Sequence, residues 1–298
     1  MVFYLEKRNY FRKKIHLADI VLGVILTLFG LSILIPFINT VAISFTGYKE
    51  YLETPLLLFP KNPTLQSYEE LISDGRIWIG YRTTILMLLI GLPLSMFLTS
   101  STAYALSRKN YPGKKAFLMM ILFTMIFQGG IVPLYLVMKD LNLTNTIWSV
   151  IFATSMNTFY MILMYNYFIS MPESLIESAR LDGAGEWTIL FRIVLPLSLP
   201  IIATVCLFYT VDKWNEWFYA MVFIRKASMQ PLQLILRAIV FDSQVADQMS
   251  AQVSIQDRSF TSGIKMAAVV VTMLPIMCIY PFLQKHFAKG VMVGAIKA

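Results

Sequence analysis

SMPESLIESARLDGAGEWTILFRIVLP, residues 170–196, reads as two short helices set at an angle. Ser170 followed three residues later by Glu173 is a helix-start signature, with Pro172 in the first turn where its missing donor costs nothing. The first helix is expected to run to about Asp182. Gly183 stands where a helix C-terminus takes a left-handed residue, and Gly185 allows a sharp change of direction. Trp187, Leu190, Phe191 and Val194 then recur at helical spacing, predicting a second amphipathic helix that Pro196 closes. Long apolar blocks flank this L-shaped pair on both sides. The pair is therefore expected to lie at a membrane surface.

The rest of the chain supports that setting. Of 298 residues 57% are hydrophobic and 14% charged, against about a quarter charged in soluble domains. The apolar residues fall into blocks of roughly twenty, enough to cross the hydrocarbon core as helix. Six spans are expected, at 17–38, 84–106, 116–138, 147–169, 197–224 and 264–284. The fold class is accordingly an all-α membrane protein: a tail over 1–16, a transmembrane domain over 17–284 and a second tail over 285–298. The net charge of +8 sits in short clusters between apolar blocks, which membrane orientation explains without nucleic acid. Lys7, Arg8, Arg12, Lys13 and Lys14 precede the first span, and Arg108, Lys109, Lys114 and Lys115 fill a short turn. By the positive-inside bias, both termini and the 170–196 loop face the cytoplasm. The first apolar run is too long for a signal peptide and has no small-x-small cleavage pattern after it.

Between the spans, 40–83 is expected to be an external loop with short helical pieces. The stretch 225–263 is polar, with Asp242, Gln244, Asp247, Gln248, Gln252 and Gln256, and reads either as a solvated loop or as a surface for an external partner. Pro36, Pro93, Pro275 and the Gln128-Gly129-Gly130 triplet with Pro133 interrupt spans, as kinks or as broken helices lining a path. Cys206 and Cys278 lack CxxC spacing and read as packing residues. His16 and His286 form no metal motif. No phosphate loop occurs: Arg108 stands where the first glycine of GxxxxGK[ST] would be, and Lys115 where Ser or Thr is required.

On the 170–196 loop the chain resembles the permeases of binding-protein-dependent ABC importers, whose EAA motif matches at Glu177, Ala179, Asp182, Gly183, Ala184, Phe191, Ile193, Pro196 and Pro200. Ser178 replaces the motif's first alanine. The six-span layout, the Pro112-Gly113 turn and the tail Gly290–Lys297 extend the resemblance to carbohydrate-type permeases. The resemblance implies the type I importer permease fold with a cytoplasmic coupling helix, in a bacterial or archaeal cell membrane. It further implies two copies of an ATP-binding subunit holding the ATP and Mg, a second permease or a copy of this one, an external solute-binding protein, and a sugar or oligosaccharide as cargo. No cofactor or metal is expected in this chain. Glu177 would pair with a partner arginine, or hold Arg180 or Arg192 within the loop. Gly183 would let the helix corner approach its partner closely.

A candidate substrate path lies in the fifth span, where Asp212, Lys213, Trp214, Asn215, Glu216 and Trp217 interrupt an apolar segment. Intramembrane ionisable groups usually face a cavity or a partner, and the tryptophans suit the apolar face of a pyranose. An interfacial belt of Trp anchors and snorkelling charges is the alternative, and Asp212 and Lys213 could neutralise each other. Gln128, Asn157 and Asn166 read as interhelical glue or as path residues. A secondary transporter or channel, or an importer of a non-sugar solute, is the competing function.

Overall fold

The computed structural model describes residues 17–54, 57–109, 111–249 and 260–295; for 242–249 and 280–295 it describes the backbone alone. Helix α1 (Leu17–Ser44) is followed by two short helices, α2 (Tyr48–Glu53) and α3 (Gln66–Ser73), and then by α4 (Arg76–Ser107). Three bent pairs come next. Helices α5 (Lys114–Ile126) and α6 (Ile131–Asp140) meet at 113°, and α7 (Ile147–Ala153) and α8 (Thr158–Ile169) at 50°. After α9 (Glu173–Leu181), α10 (Glu186–Leu197) and α11 (Leu199–Trp214) meet at 89°. Helices α12 (Phe218–Phe223), α13 (Leu232–Met249) and α14 (Thr261–Ala295) follow. Three helices are long and apolar enough to cross a membrane, and counting each bent pair as one span gives six. No strand occurs among the described residues.

The boundaries differ from expectation where polar residues sit inside helices. Helix α4 begins at Arg76, because Arg76 and Arg82 hide its first turns from a hydropathy reading. Pro36 and Pro93 lie inside continuous helices, as does Pro275. A proline removes one backbone donor, and in a bundle neighbouring groups re-satisfy the freed carbonyl. The glycine pair does break its span: Gly130 adopts φ +84°, and Pro133 falls in the first turn of α6. The expected loop at 225–263 contains α13 instead. Leu232, Ile235 and Ile239, spaced by three and four residues, are buried in the apolar cluster that also holds Trp214 and Leu71. The side chains of Asp242, Gln244, Asp247 and Gln248 lie outside the described residues, as do the N-terminal basic cluster, His16, Gln252, Gln256 and Lys297. The backbone of α14 runs on past 284 to Ala295 without a break.

Helix α4 organises the bundle, packing against α8, α11 and α13. It can do so because Gly80, Thr84, Gly91, Ser95, Thr99 and Ala103 form a stripe of small buried residues. Within a membrane such stripes let backbones approach and replace the hydrophobic drive by close packing. Helix α1 is different: from Leu17 to Leu34 its apolar side chains are exposed on every face, and burial begins only at Ala42. That is the surface of a helix whose solvent is lipid.

Candidate functional site

The first candidate is the elbow made by α9 and α10. Pro172, not Ser170, is the N-cap of α9, and the Ser170 hydroxyl turns back to donate to the Tyr167 carbonyl at 2.7 Å. The capping-box expectation is therefore corrected: Pro172 holds extended backbone just where a box would need Ser170 to stand. The other end follows the expected chemistry. Gly183 adopts φ +82°, its N–H donates to the Arg180 carbonyl at 3.0 Å, and the Ala184 N–H reaches the Ala179 carbonyl at 2.9 Å. These two bonds are a Schellman cap. Ala179 and Ile176 are buried, whereas Glu177, Ser178, Asp182 and Gly183 form an exposed face with Leu181, which is 89% exposed.

Helix α10 keeps its direction beyond the expected stop. Pro196 does not close it; the chain passes through a stretch of π-helix at Leu190–Val194, continues to Leu197 and turns at Ser198. A π-turn spares the donor that proline lacks. Ile189, Leu190 and Val194 anchor the elbow in the core beside Ala103, Met164 and Phe168.

Polar ties fix the elbow to the end of α4. The Tyr104 hydroxyl donates to Glu186 at 2.6 Å, and Arg180 forms a salt bridge with the same carboxylate at 2.8 Å. Burial pushes Glu186 up, but the Tyr104 and Arg180 hydrogen bonds outweigh it and hold the carboxyl below its ordinary range. Lys109 pairs with Glu173, and that hydrogen bond raises the lysine. Trp187 stacks on Phe97 at 5.9 Å. Arg180 is thus committed to Glu186, and Glu177 makes no hydrogen bond or salt bridge among the described residues. Its carboxylate faces outward, available to a partner.

The second candidate is a cavity of about 690 Å3 at the breaks between α5 and α6, between α7 and α8, and after α11. It gathers Gln128, Asn157, Asp212, Asn215 and Glu216 with Lys213, most of the residues expected on the path. Each is held. Asn157 caps α8, its Oδ1 accepting from the Phe159 and Tyr160 N–H groups. Asp212 accepts from the Tyr160 hydroxyl at 2.7 Å, Glu216 from the Tyr219 N–H at 2.7 Å, and Asn215 from the Gln233 amide at 3.2 Å. Asp212 and Lys213 form no salt bridge with each other, and the carboxylate acts on the ammonium only from a distance. Neighbouring residues on a helix point about 100° apart.

Trp214 and Trp217 are absent from the lining. Trp214 is 6% exposed and donates its indole N–H to the Thr272 carbonyl at 3.3 Å, and Arg237 stands 4.1 Å over the Trp217 ring. The aromatic lining comes instead from Phe159, Tyr209 and Tyr219. Asn166 is exposed, away from the cavity.

Tyr209 was not singled out by sequence and is central. Its hydroxyl accepts from the Asn157 N–H at 2.9 Å and pairs with Thr99 at 2.6 Å, joining α11, the α7–α8 break and α4. A tyrosine hydroxyl inside an apolar span was the available signal. Tyr209→Phe strands the buried Thr99 hydroxyl and the half-buried Asn157 N–H, which costs about 1–3 kcal/mol. The expected result is a lower thermal midpoint of the purified protein; an unchanged midpoint would mean that water replaces the hydroxyl.

With both sites in place, residues 116–293 match the family described as the binding-protein-dependent transport system inner membrane component. The chain belongs to this family. The permease is 37% identical over 284 residues, 95% of its length and 99% of the relative's, to the polygalacturonan/rhamnogalacturonan transport system permease protein of Bacillus subtilis. It is 27% identical over 281 residues, 92% of its length and 87% of the relative's, to the diacetylchitobiose uptake system permease protein of Streptomyces coelicolor. A crystal structure of a bacterial ABC transporter involved in the import of the acidic polysaccharide alginate contains a chain that superimposes with a TM-score of 0.85 at 30% identity, over 93% of the permease and 99% of that chain. The permease thus has the type I ABC importer fold that its 170–196 loop implies, and it is a membrane-embedded transporter component.

Proposed function

We propose that the permease carries a sugar or oligosaccharide through the cavity between its broken spans, driven through the α9–α10 elbow by a separate ATPase. The observation that carries this reading is continuity. Helix α11 starts just after Ser198, where α10 ends, and carries Asp212 and Lys213 in the cavity wall near its far end, so two consecutive helices link the elbow to the polar path. The names of the relatives support a saccharide, since both are permeases of saccharide systems.

In this reading Glu177, Ser178, Ala179, Asp182, Gly183, Ala184 and Pro196 belong to the coupling elbow, and Gln128, Asn157, Asp212, Asn215 and Glu216 to the path. The partners are two copies of an ATP-binding subunit with ATP and Mg, a paralogous permease or a second copy of this one, and an external solute-binding protein. The basic turn at Arg108–Lys115 supports a cytoplasmic elbow and cytoplasmic termini. Residues in the elbow position and push, and residues in the cavity bind; the bond chemistry of ATP hydrolysis belongs to the partner.

Reconstitution into proteoliposomes tests this function. Uptake of labelled oligosaccharide is expected only when permease pair, ATPase, solute-binding protein and ATP are all present. Full uptake by the isolated permease, driven by an ion gradient, would establish a secondary transporter instead.

A further inference from the structure

We infer that Lys213 sets the cargo's charge: its ammonium is the counter-ion for an acid group on the transported saccharide. The inference rests on the saccharide reading above and narrows it to an acidic sugar such as a uronate.

Lys213 is 4% exposed and lines the cavity at the end of α11. An ammonium carries three N–H donors. Two acceptors are described, the Thr154 carbonyl at 3.2 Å and the Thr154 hydroxyl at 3.3 Å, and the Tyr209 ring lies 5.8 Å away. The oxygens of Thr154 are there because the break after α7 frees that carbonyl from helix bonding. No carboxylate lies within salt-bridge distance of Nζ among the described residues. Asp212 and Glu216 attract the ammonium only from a distance; a cation enclosed in a membrane span without a contacting counter-ion is costly, and such groups persist where they meet a partner in a cavity.

The two nearby carboxylates are engaged elsewhere. Asp212 takes the Tyr160 hydroxyl, and Glu216 takes the backbone at Tyr219. Both keep lone pairs for sugar hydroxyl hydrogens, which a carboxylate accepts well. Space is reserved for the ammonium as well. A Cβ at position 91 would stand 3.2 Å from Nζ, so Gly91 on α4 leaves the pocket that the lysine head occupies. The division of labour is then chemical: acceptors for hydroxyls, amides from Gln128 and Asn215 for either, and one cation for a carboxylate.

The test uses the assembled transporter in proteoliposomes with its solute-binding protein and ATPase. The probes are digalacturonate, its dimethyl ester and galactobiose, which share a scaffold and differ in charge. The wild type is expected to favour the acid over its ester by about tenfold, the weight of one charge-assisted hydrogen bond. In Lys213→Gln that acid-to-ester ratio is expected to fall to about one, with Lys213→Arg restoring part of it. A merely structural lysine would lower uptake of all three probes and leave the ratio alone, which overturns the inference. Equal or preferred uptake of ester or galactobiose by the wild type also overturns it, and leaves the saccharide reading standing. ATP turnover with no uptake of any of the three would count against the saccharide reading itself. The wild-type ratio needs no variant, so a Lys213→Gln protein that fails to assemble does not block the decision.

Discussion

Replacing Gly183 with valine is expected to abolish cargo-stimulated ATP hydrolysis by the assembled transporter while the permease stays folded in the membrane. The residue sits at φ +82°, where a β-branched side chain costs about 1–3 kcal/mol. Among the described residues, nothing beyond its own chain neighbours lies within 4 Å of a Cβ placed there. The damage therefore falls on the two cap hydrogen bonds and on the exposed corner, while the buried anchors Ile176 and Ile189 are untouched. Gly183→Asn separates the two reasons for glycine. Asparagine tolerates left-handed backbone, so restored coupling in that variant assigns the role to conformation, and continued loss assigns it to close approach by the ATPase. Normal stimulated hydrolysis in Gly183→Val would remove the elbow from the coupling path.

The second large effect is on stability. A Cβ on Gly80 would stand 2.9 Å from the Leu232 Cα, where α4 and α13 touch and the Leu232 N–H donates to the Thr84 hydroxyl. Backbone cannot step aside as a side-chain tip can. Gly80→Ala is expected to cost about 1–3 kcal/mol, read as a lowered thermal midpoint in detergent. The matched control is Gly30→Ala on α1, where a Cβ meets nothing within 4 Å; there the better helix propensity adds up to about 1 kcal/mol. Equal midpoints for the two variants would show that α13 shifts freely against α4, contrary to the close packing described.

Much of this was legible in the sequence, and the reasons are local. Gly183 announced its left-handed cap because few other residues fit there, and the Gly129-Gly130 pair announced an interruption, as a kink or as a break. Asp212, Asn215 and Glu216 pointed equally to a cavity and to an interfacial belt, since polar groups in a membrane need one or the other. What stayed hidden was set by tertiary contact. Pro93 looks like a breaker and lies in an unbroken helix, as prolines inside membrane bundles can. Helix α13 was masked by its polar residues, although Leu232, Ile235 and Ile239 keep helical spacing. Trp214 was grouped with Asp212 by adjacency. Two residues along a helix is about 200° around it, so Trp214 meets α14 while Asp212 meets the cavity.

The bend at Ser198 has a mechanical meaning. Helix α10 and helix α11 meet at 89°, so a push that rocks the one in its own plane becomes a tilt of the other. Helix α11 has 16 residues, a rod of about 24 Å. Tilting such a rod by about 10° sweeps its far end through about 4 Å. That far end is Lys213, resting on the carbonyl of Thr154 through hydrogen bonds already 3.2 Å long. In the coupling proposed above, a small rotation at the elbow would reach the cavity as a stroke longer than the contacts that hold the lysine head. The bell-crank that moves the wall would also release the grip on whatever the lysine holds.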